Sequence, residues 1–269
     1  MDARIKHQTE LITNYYADYD EDGRLSHKYN HVEFLTTMRF VEKYLAAGAR
    51  VLEVGAGTGR YSRAIADKGF EVEAVELVPR NIEIFKKQIT PTQNIRVHQG
   101  NALDLQMFDC GMFDMTLVLG PMYHLYTEDD KRQCISEAIR VTKPGGIVFV
   151  AYIIVDAAII EDRFVRGLWK IEDEMDGGLI NPHTFDVNST PEGIFALTRK
   201  ENIDNLMSNF QVNRLHYVAT NMLSRILRDR IMSMDDDTFE LYLKYHYAVC
   251  ERPDMVGVTA HSLDIFRKM

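Results

Sequence analysis

The residues best suited to chemistry begin with Val51-Leu52-Glu53-Val54-Gly55-Ala56-Gly57-Thr58-Gly59-Arg60-Tyr61, an apolar run that breaks into a glycine-rich turn and then a helical sequence. Glycines there let the backbone approach a ligand and take positive φ, and the following helix offers amide N–H groups without intrahelical partners. A dinucleotide fingerprint needs Gly or Ala three residues after Gly57; this chain has Arg60, which weakens a nicotinamide reading. Glu76 follows Gly55 by 21 residues at the end of the next apolar run, where a carboxylate can accept two hydrogen bonds from a ribose diol. Metal chemistry is not indicated. His183, His216, His246 and His261 lack paired ligand spacing, and no Cys-x-x-Cys occurs.

The elements that must position these groups alternate between strand and helix over residues 49–152, the pattern of a parallel sheet covered on both faces. Short apolar runs at 50–54, 71–77, 95–98, 115–119 and 147–153 have the length of buried strands. Thr127-Glu128-Asp129-Asp130 starts a helix by side-chain capping, and Lys143-Pro144-Gly145-Gly146 ends it. A helix is expected over 31–45, preceded by a polar, tyrosine-rich segment, 15–24. Beyond the fifth strand the pattern predicts helix over 155–176, loop over 177–193, helix over 199–209 and strand over 211–219. Helices over 222–234 and 238–251 follow, then a strand over 256–267.

The glycine-rich turn, with Glu53 two residues before it, resembles motif I of the class I S-adenosylmethionine-dependent methyltransferases. Four further features stand in that family's order: Glu76; Gly100-Asn101-Ala102; Phe113-Asp114 with Gly120-Pro121-Met122-Tyr123-His124-Leu125; and Lys143-Pro144-Gly145-Gly146. The resemblance covers about 100 residues. It implies an α/β, Rossmann-like seven-stranded sheet in the order 3-2-1-4-5-7-6, with strand 7 antiparallel and helices on both faces. S-adenosylmethionine is the implied cofactor, held by Glu53, Gly55, Ala56, Gly57, Gly59, Glu76, Leu77, Asn101, Ala102 and Leu119. Many family members carry Asp where this chain has Asn101, which still offers an oxygen acceptor for the adenine amino group. From the N-terminal segment Tyr15, Tyr16 and Tyr19 are expected to close over the cofactor, with Arg24 pairing a carboxylate.

Methyl transfer from a sulfonium is an in-line displacement, so positioning dominates, and a base is needed only for a protonated acceptor. Tyr123 and His124 are the catalytic candidates because the loop after strand 4 faces the methyl group in the family. One methyltransferase domain is expected over 1–269: a helical lid (1–48), a cofactor-binding core (49–153) and two cap insertions (155–193 and 221–252). The cap is expected to close a small, apolar pocket with residues such as Trp169, Tyr242 or Tyr245.

Composition narrows the acceptor. Thirty-one basic against 40 acidic residues give a net charge of −9, which leaves no electrostatic footprint for nucleic acid. Three scattered cysteines, a polar N-terminus and no apolar run near the ~18 residues of a membrane span predict a cytoplasmic protein outside the membrane. The expected partner is a small-molecule methyl acceptor. Two alternatives stay open: methylation of RNA or protein, and a non-catalytic module that only binds S-adenosylmethionine.

Overall fold

Alternate residues of the strands face opposite layers of the core. Val51, Val72, Met115, Leu117, Phe149 and Ile265 share one apolar cluster with Phe40 and Val41; Leu52, Val54, Val75, Val118, Val148 and Phe266 share another with Ile135, Ala138 and Ile203. This two-residue period with both faces apolar is what a sheet between helical layers requires.

The computed structural model describes residues 3–19, 23 and 27–269. Helices α1 (Ala3–Asp18) and α2 (Lys28–Tyr44) precede the sheet. Then come β1 (Arg50–Val54), α3 (Arg60–Ala66), β2 (Glu71–Glu76), α4 (Pro79–Gln88), β3 (Ile95–Gln99) and β4 (Phe113–Val118). A 3-10 turn (Pro121–His124), α5 (Glu128–Val141) and β5 (Thr142–Ile154) follow. The sheet order is β3-β2-β1-β4-β5-β8-β7, with β7 (Val212–Ala219) and β8 (His261–Lys268) at one side. This is the expected 3-2-1-4-5-7-6 order, renumbered because a two-residue strand, β6 (Leu197–Thr198), pairs with the end of β5. β8 runs antiparallel to both β5 and β7.

Local chemistry explains the element ends. Thr127 caps α5 by accepting from the Asp130 N–H. Lys143-Pro144-Gly145-Gly146 forms an irregularity at the start of β5: Phe113 pairs with Thr142 but Met115 with Ile147, and Gly145 takes φ +79. β8 begins at His261, later than the sequence pattern suggests, because Val256–Val258 is a 3-10 turn.

The segments expected as cap insertions, 155–193 and 221–252, differ in structure. In the first, a short helix α6 (Val155–Ala158) runs into a π-helical Ile159–Val165 and then α7 (Ile171–Asp176). In the second, α9 (Arg228–Met232) and α10 (Asp236–Val249) pack on α2 through Val32, Ile231 and Phe239, with Tyr29, Tyr242 and Leu243 around them. Between the insertions lies α8 (Lys200–Met207). No helix of the described residues is long and apolar enough to cross a membrane.

Candidate active site

The carboxyl ends of β1, β2 and β4 open into a cavity of about 610 Å3, within the range of roughly 300–1,000 Å3 typical of small-molecule sites. Gly55, Ala56, Gly57, Glu76, Leu77, Asn101, Ala102, Leu119, Tyr16, Tyr123 and His124 all line it. Glu53 and Gly59 do not, and Arg24 lies outside the described residues.

Two of the glycines explain the loop's shape. Gly55 has φ +73, and a Cβ there would fall 2.6 Å from Pro121 Cδ; Gly59 has φ +81, and a Cβ would fall 2.0 Å from the Phe85 ring. Neither position tolerates a side chain, so β1 turns tightly and its loop lies flat against the cavity. Glu53, expected among the cofactor contacts, braces this loop from beneath. Its carboxylate accepts from Ser62 N–H at 2.9 Å and from the Ser62 hydroxyl. Burial pushes Glu53 up to about 8, the Ser62 donors oppose the rise, and the nearby charge of Glu76 adds to it.

Glu76 is the acidic group that reaches the cavity beside the glycine loop. Its Oε2 accepts from Gly57 N–H at 2.8 Å, and its Oε1 from Val78 N–H at 2.9 Å and the Asn81 amide at 3.3 Å. The carboxylate is thus pinned at the strand end. Asn101 Oδ1 accepts from Leu103 N–H at 3.0 Å, closing a turn that presents residues 100–102 to the cavity. Arg60, the residue that departs from a dinucleotide fingerprint, also lines the cavity and stacks on Phe34 at 4.9 Å. A close glycine loop beside a pinned carboxylate and an Asn turn suits a ligand with a ribose diol and an adenine ring.

Helix α1 closes one side with Gln8, Ile12, Tyr15 and Tyr16, and Tyr19 just beyond it adds to the wall. His124 anchors it: its carbonyl accepts from the Gln8 amide, and its Nε2 meets the Tyr16 hydroxyl at 3.2 Å. His124 Nδ1–H donates to the Ile194 carbonyl at 2.8 Å, so Nε2 is the accepting nitrogen. Ile194 sits at φ +65 in a tight turn closed by Phe195 N–H to Gly193 O, and its carbonyl also accepts from Tyr126. A β-branched residue at positive φ is strained, and here the strain aims one carbonyl at two donors. Burial pushes His124 down to about 4, against the raising effect of the Ile194 carbonyl. His124 is therefore a neutral ring held by protein on both nitrogens, a geometry that fixes α1 more directly than it serves a base.

The first insertion covers the far wall. Arg163 pairs with Glu174 through two bonds of 2.8 and 2.7 Å and lies 5.0 Å from the Trp169 ring. Glu161, almost fully buried, sits between Arg225 and Arg228 at 2.8 Å each. Trp169 lines the cavity as expected; Tyr242 belongs to the α2 packing described above, and Tyr245 is exposed. The second insertion reaches the cavity through Arg225. Its aromatic stripe found an apolar partner on α2 instead of the ligand edge.

Sequence reasoning passed over the cavity's remaining wall. His261, weighed only as a metal ligand, lines the cavity beside Tyr123, the ring centres 5.5 Å apart, and its Nδ1 lies 2.9 Å from Glu33 Oε2. The usable signal was topological. An antiparallel strand brings its first residue to the edge where the parallel strands end.

The fold and this loop geometry define a Rossmann-like methyltransferase sheet, and comparison with known proteins agrees. Residues 51–146 match the family described as a methyltransferase domain. The ubiquinone biosynthesis O-methyltransferase of Xanthomonas oryzae pv. oryzae is 28% identical over 152 residues, 54% of this chain and 61% of that protein. The demethylmenaquinone methyltransferase of Clavibacter sepedonicus is 30% identical over 104 residues, 39% and 41% of the two chains. The chain thus spans about half the length of the curated relatives it matches. Among solved structures, a SAM-dependent methyltransferase from Methanosarcina mazei superposes with TM-score 0.56 at 14% identity, covering 86% of this chain and 97% of the other. A Pyrococcus horikoshii protein gives TM-score 0.57 at 15% identity, covering 95% and 99%. Over residues 51–146 the chain is similar to methyltransferase domains, and its fold is that of solved S-adenosylmethionine-dependent methyltransferases.

Proposed function

We propose that this protein transfers a methyl group from S-adenosylmethionine to a small-molecule acceptor. The observation that carries the reading is the single cavity in which the glycine loop, Glu76 and Asn101 share one space with Tyr123, Trp169 and the charged residues of 155–193. When bound, the cofactor supplies an electrophilic methyl carbon on a sulfonium. Glu76 holds the ribose hydroxyls, Gly55 to Gly57 admit the amino-acid portion close to the backbone, and Asn101 with Ala102 and Leu77 flank the adenine. Tyr16 and α1 act as a lid over the cofactor, while Tyr123 walls the methyl face and limits water there.

The acceptor chemistry of the curated relatives supports a small molecule, as does the acidic net charge. Three unpaired thiols, Cys110, Cys134 and Cys250, support a reducing, cytoplasmic setting. Calorimetric titration with S-adenosylhomocysteine tests the cofactor assignment, and no binding heat would overturn it. Incubating the protein and methyl-labelled cofactor with metabolite, RNA and protein fractions tests the acceptor. Label in the metabolite fraction is expected; label only in RNA or protein, or in none, would reject the small-molecule reading.

A further inference from the structure

The cavity holds a second histidine whose surroundings differ from those of His124. β8 is antiparallel, and its first residue, His261, pairs with Ile153 at the end of β5. That register places a ring on the same sheet edge as the glycine loop, and the ring lines the cavity. His261 and Glu33 are both almost fully buried, and Nδ1 stands 2.9 Å from Glu33 Oε2. A carboxylate only accepts, so Nδ1 carries the proton and donates it. Asn221 completes the arrangement. Its Oδ1 accepts from Ala260 N–H at 3.0 Å and Thr259 Oγ1 at 2.9 Å, which fixes the amide so that Nδ2 stands 3.2 Å from His261 Nδ1 and 3.4 Å from Glu33 Oε2; with the proton on Nδ1, Nδ2 donates to Glu33. His261 Nε2 makes no hydrogen bond among the described residues.

An imidazole with its inner nitrogen donated to a buried carboxylate and its outer nitrogen left for a ligand is the arrangement by which proteins present a base. Resting on the methyl-transfer reading above, we propose that His261 is the general base of this site, that Glu33 is its positioning residue, and that the acceptor is a hydroxyl, most readily a phenol. The acceptor oxygen forms a bond to the methyl carbon while the carbon–sulfur bond breaks, its electron pair remaining on sulfur. The hydroxyl proton passes to His261 Nε2, and Nδ1–H stays with Glu33, whose charge offsets the imidazolium. Tyr123, beside the imidazole, forms the wall against which a planar acceptor ring packs.

The test uses the full chain saturated with S-adenosylhomocysteine. 4-Nitrophenol is titrated in and its phenolate absorption followed at a pH below that of its free ionisation. Wild type should bind it and show the phenolate band; His261→Asn should lose the band while binding S-adenosylhomocysteine within about threefold of wild type. Failure of wild type to bind 4-nitrophenol, or the same band in both proteins, overturns the proposal. Nitrogen NMR of the histidines reports the tautomer: His261 should show a fixed Nδ1–H form that Glu33→Gln releases, and an unchanged signal overturns the role of Glu33. With methyl-labelled cofactor and a panel of catechols and monophenols, His261→Asn should lower kcat at least about a hundredfold, with KM for the phenol changed far less. Wild-type rates retained in His261→Asn, or label found only on amines, count against the assignment. A protein that binds no S-adenosylhomocysteine instead fails the underlying reading.

Discussion

The Gly57 N–H donates to Glu76 Oε2 at 2.8 Å, so the carboxylate at the end of β2 and the loop at the end of β1 are joined before any ligand arrives. A diol binding to Glu76 must share or displace that bond. Loop shape and carboxylate position are therefore one variable, and disturbing either disturbs both.

Replacing Glu76 by Gln turns one oxygen into an amide donor that faces other donors, Gly57, Val78 or Asn81. Affinity for S-adenosylhomocysteine should fall by about 1.5–3 kcal/mol, or roughly 10–100-fold, in calorimetry. Gly55→Ala should match or exceed this loss, because its Cβ would meet Pro121 at 2.6 Å with φ at +73. Wild-type affinity in Gly55→Ala would show that the loop is not the cofactor cradle.

Tyr16→Phe removes the hydroxyl that meets His124 Nε2. Loss of one such bond costs about 0.5–1.5 kcal/mol, and it should appear as faster amide exchange in α1 and faster release of S-adenosylhomocysteine, with the sheet unaffected. Unchanged exchange in α1 would mean that the helix is held by Arg4–Asp130, the Gln8 bond to the His124 carbonyl and its apolar face.

Glu174→Ala removes the two-bond partner of Arg163, whose side chain is 9% exposed, and leaves it only Asp162 at 3.7 Å and the Trp169 ring. Losing hydrogen bonds to a charged group costs about 1.5–3 kcal/mol, so residues 159–180 should loosen while the core persists. Hydrogen exchange should rise over 159–180, and S-adenosylhomocysteine binding should stay within about tenfold. Global unfolding at the same temperature would show instead that the insertion is part of the core's cooperative unit.

Stability should pass through a maximum near pH 6.5. Burial holds both His124 and His246 at about 4, below their ordinary 6.5; the unfolded chain binds more protons between those values, so stability falls as pH drops from 6.5 to 4. Glu53 has the opposite sign. Its folded value of about 8 lies above the ordinary 4.5, so the stability it contributes is full below 4.5 and is lost as pH rises through 8. Between 4.5 and 6.5 the two histidines outweigh it, and above 6.5 it acts alone among the three. Melting temperatures across pH 4–9 should show this dome, and Glu53→Gln should flatten its alkaline side.

The cavity wall at the ends of β1 and β2 was legible because its determinants are local. Glycines at 55, 57 and 59, the acid at 76 and the Asn turn at 101 each declare their geometry within a few residues of sequence. Glu53 misled for the same reason: spacing sets it beside the loop, and only packing shows it beneath, bonded to Ser62. The wall at His261 depends on distant pairings. Glu33 and His261 come from opposite ends of the chain and meet through the reversed direction of β8, while Tyr242 was drawn to α2 by a face that no sequence window contains and Tyr245 stays exposed. The short β6 and the irregular start of β5 arise from tertiary pairing and leave no periodic signal.

β8 follows both of its neighbours in chain order yet lies between them. The sheet therefore cannot be completed in the order in which the strands leave the ribosome. β5 and β7 both find their neighbour only once β8 is available, a late and non-local pairing. His261 is the first residue of that strand. A partly assembled chain can build the glycine loop and Glu76 and still lack the nitrogen that receives a proton, so reactivity toward the acceptor appears only with topological closure.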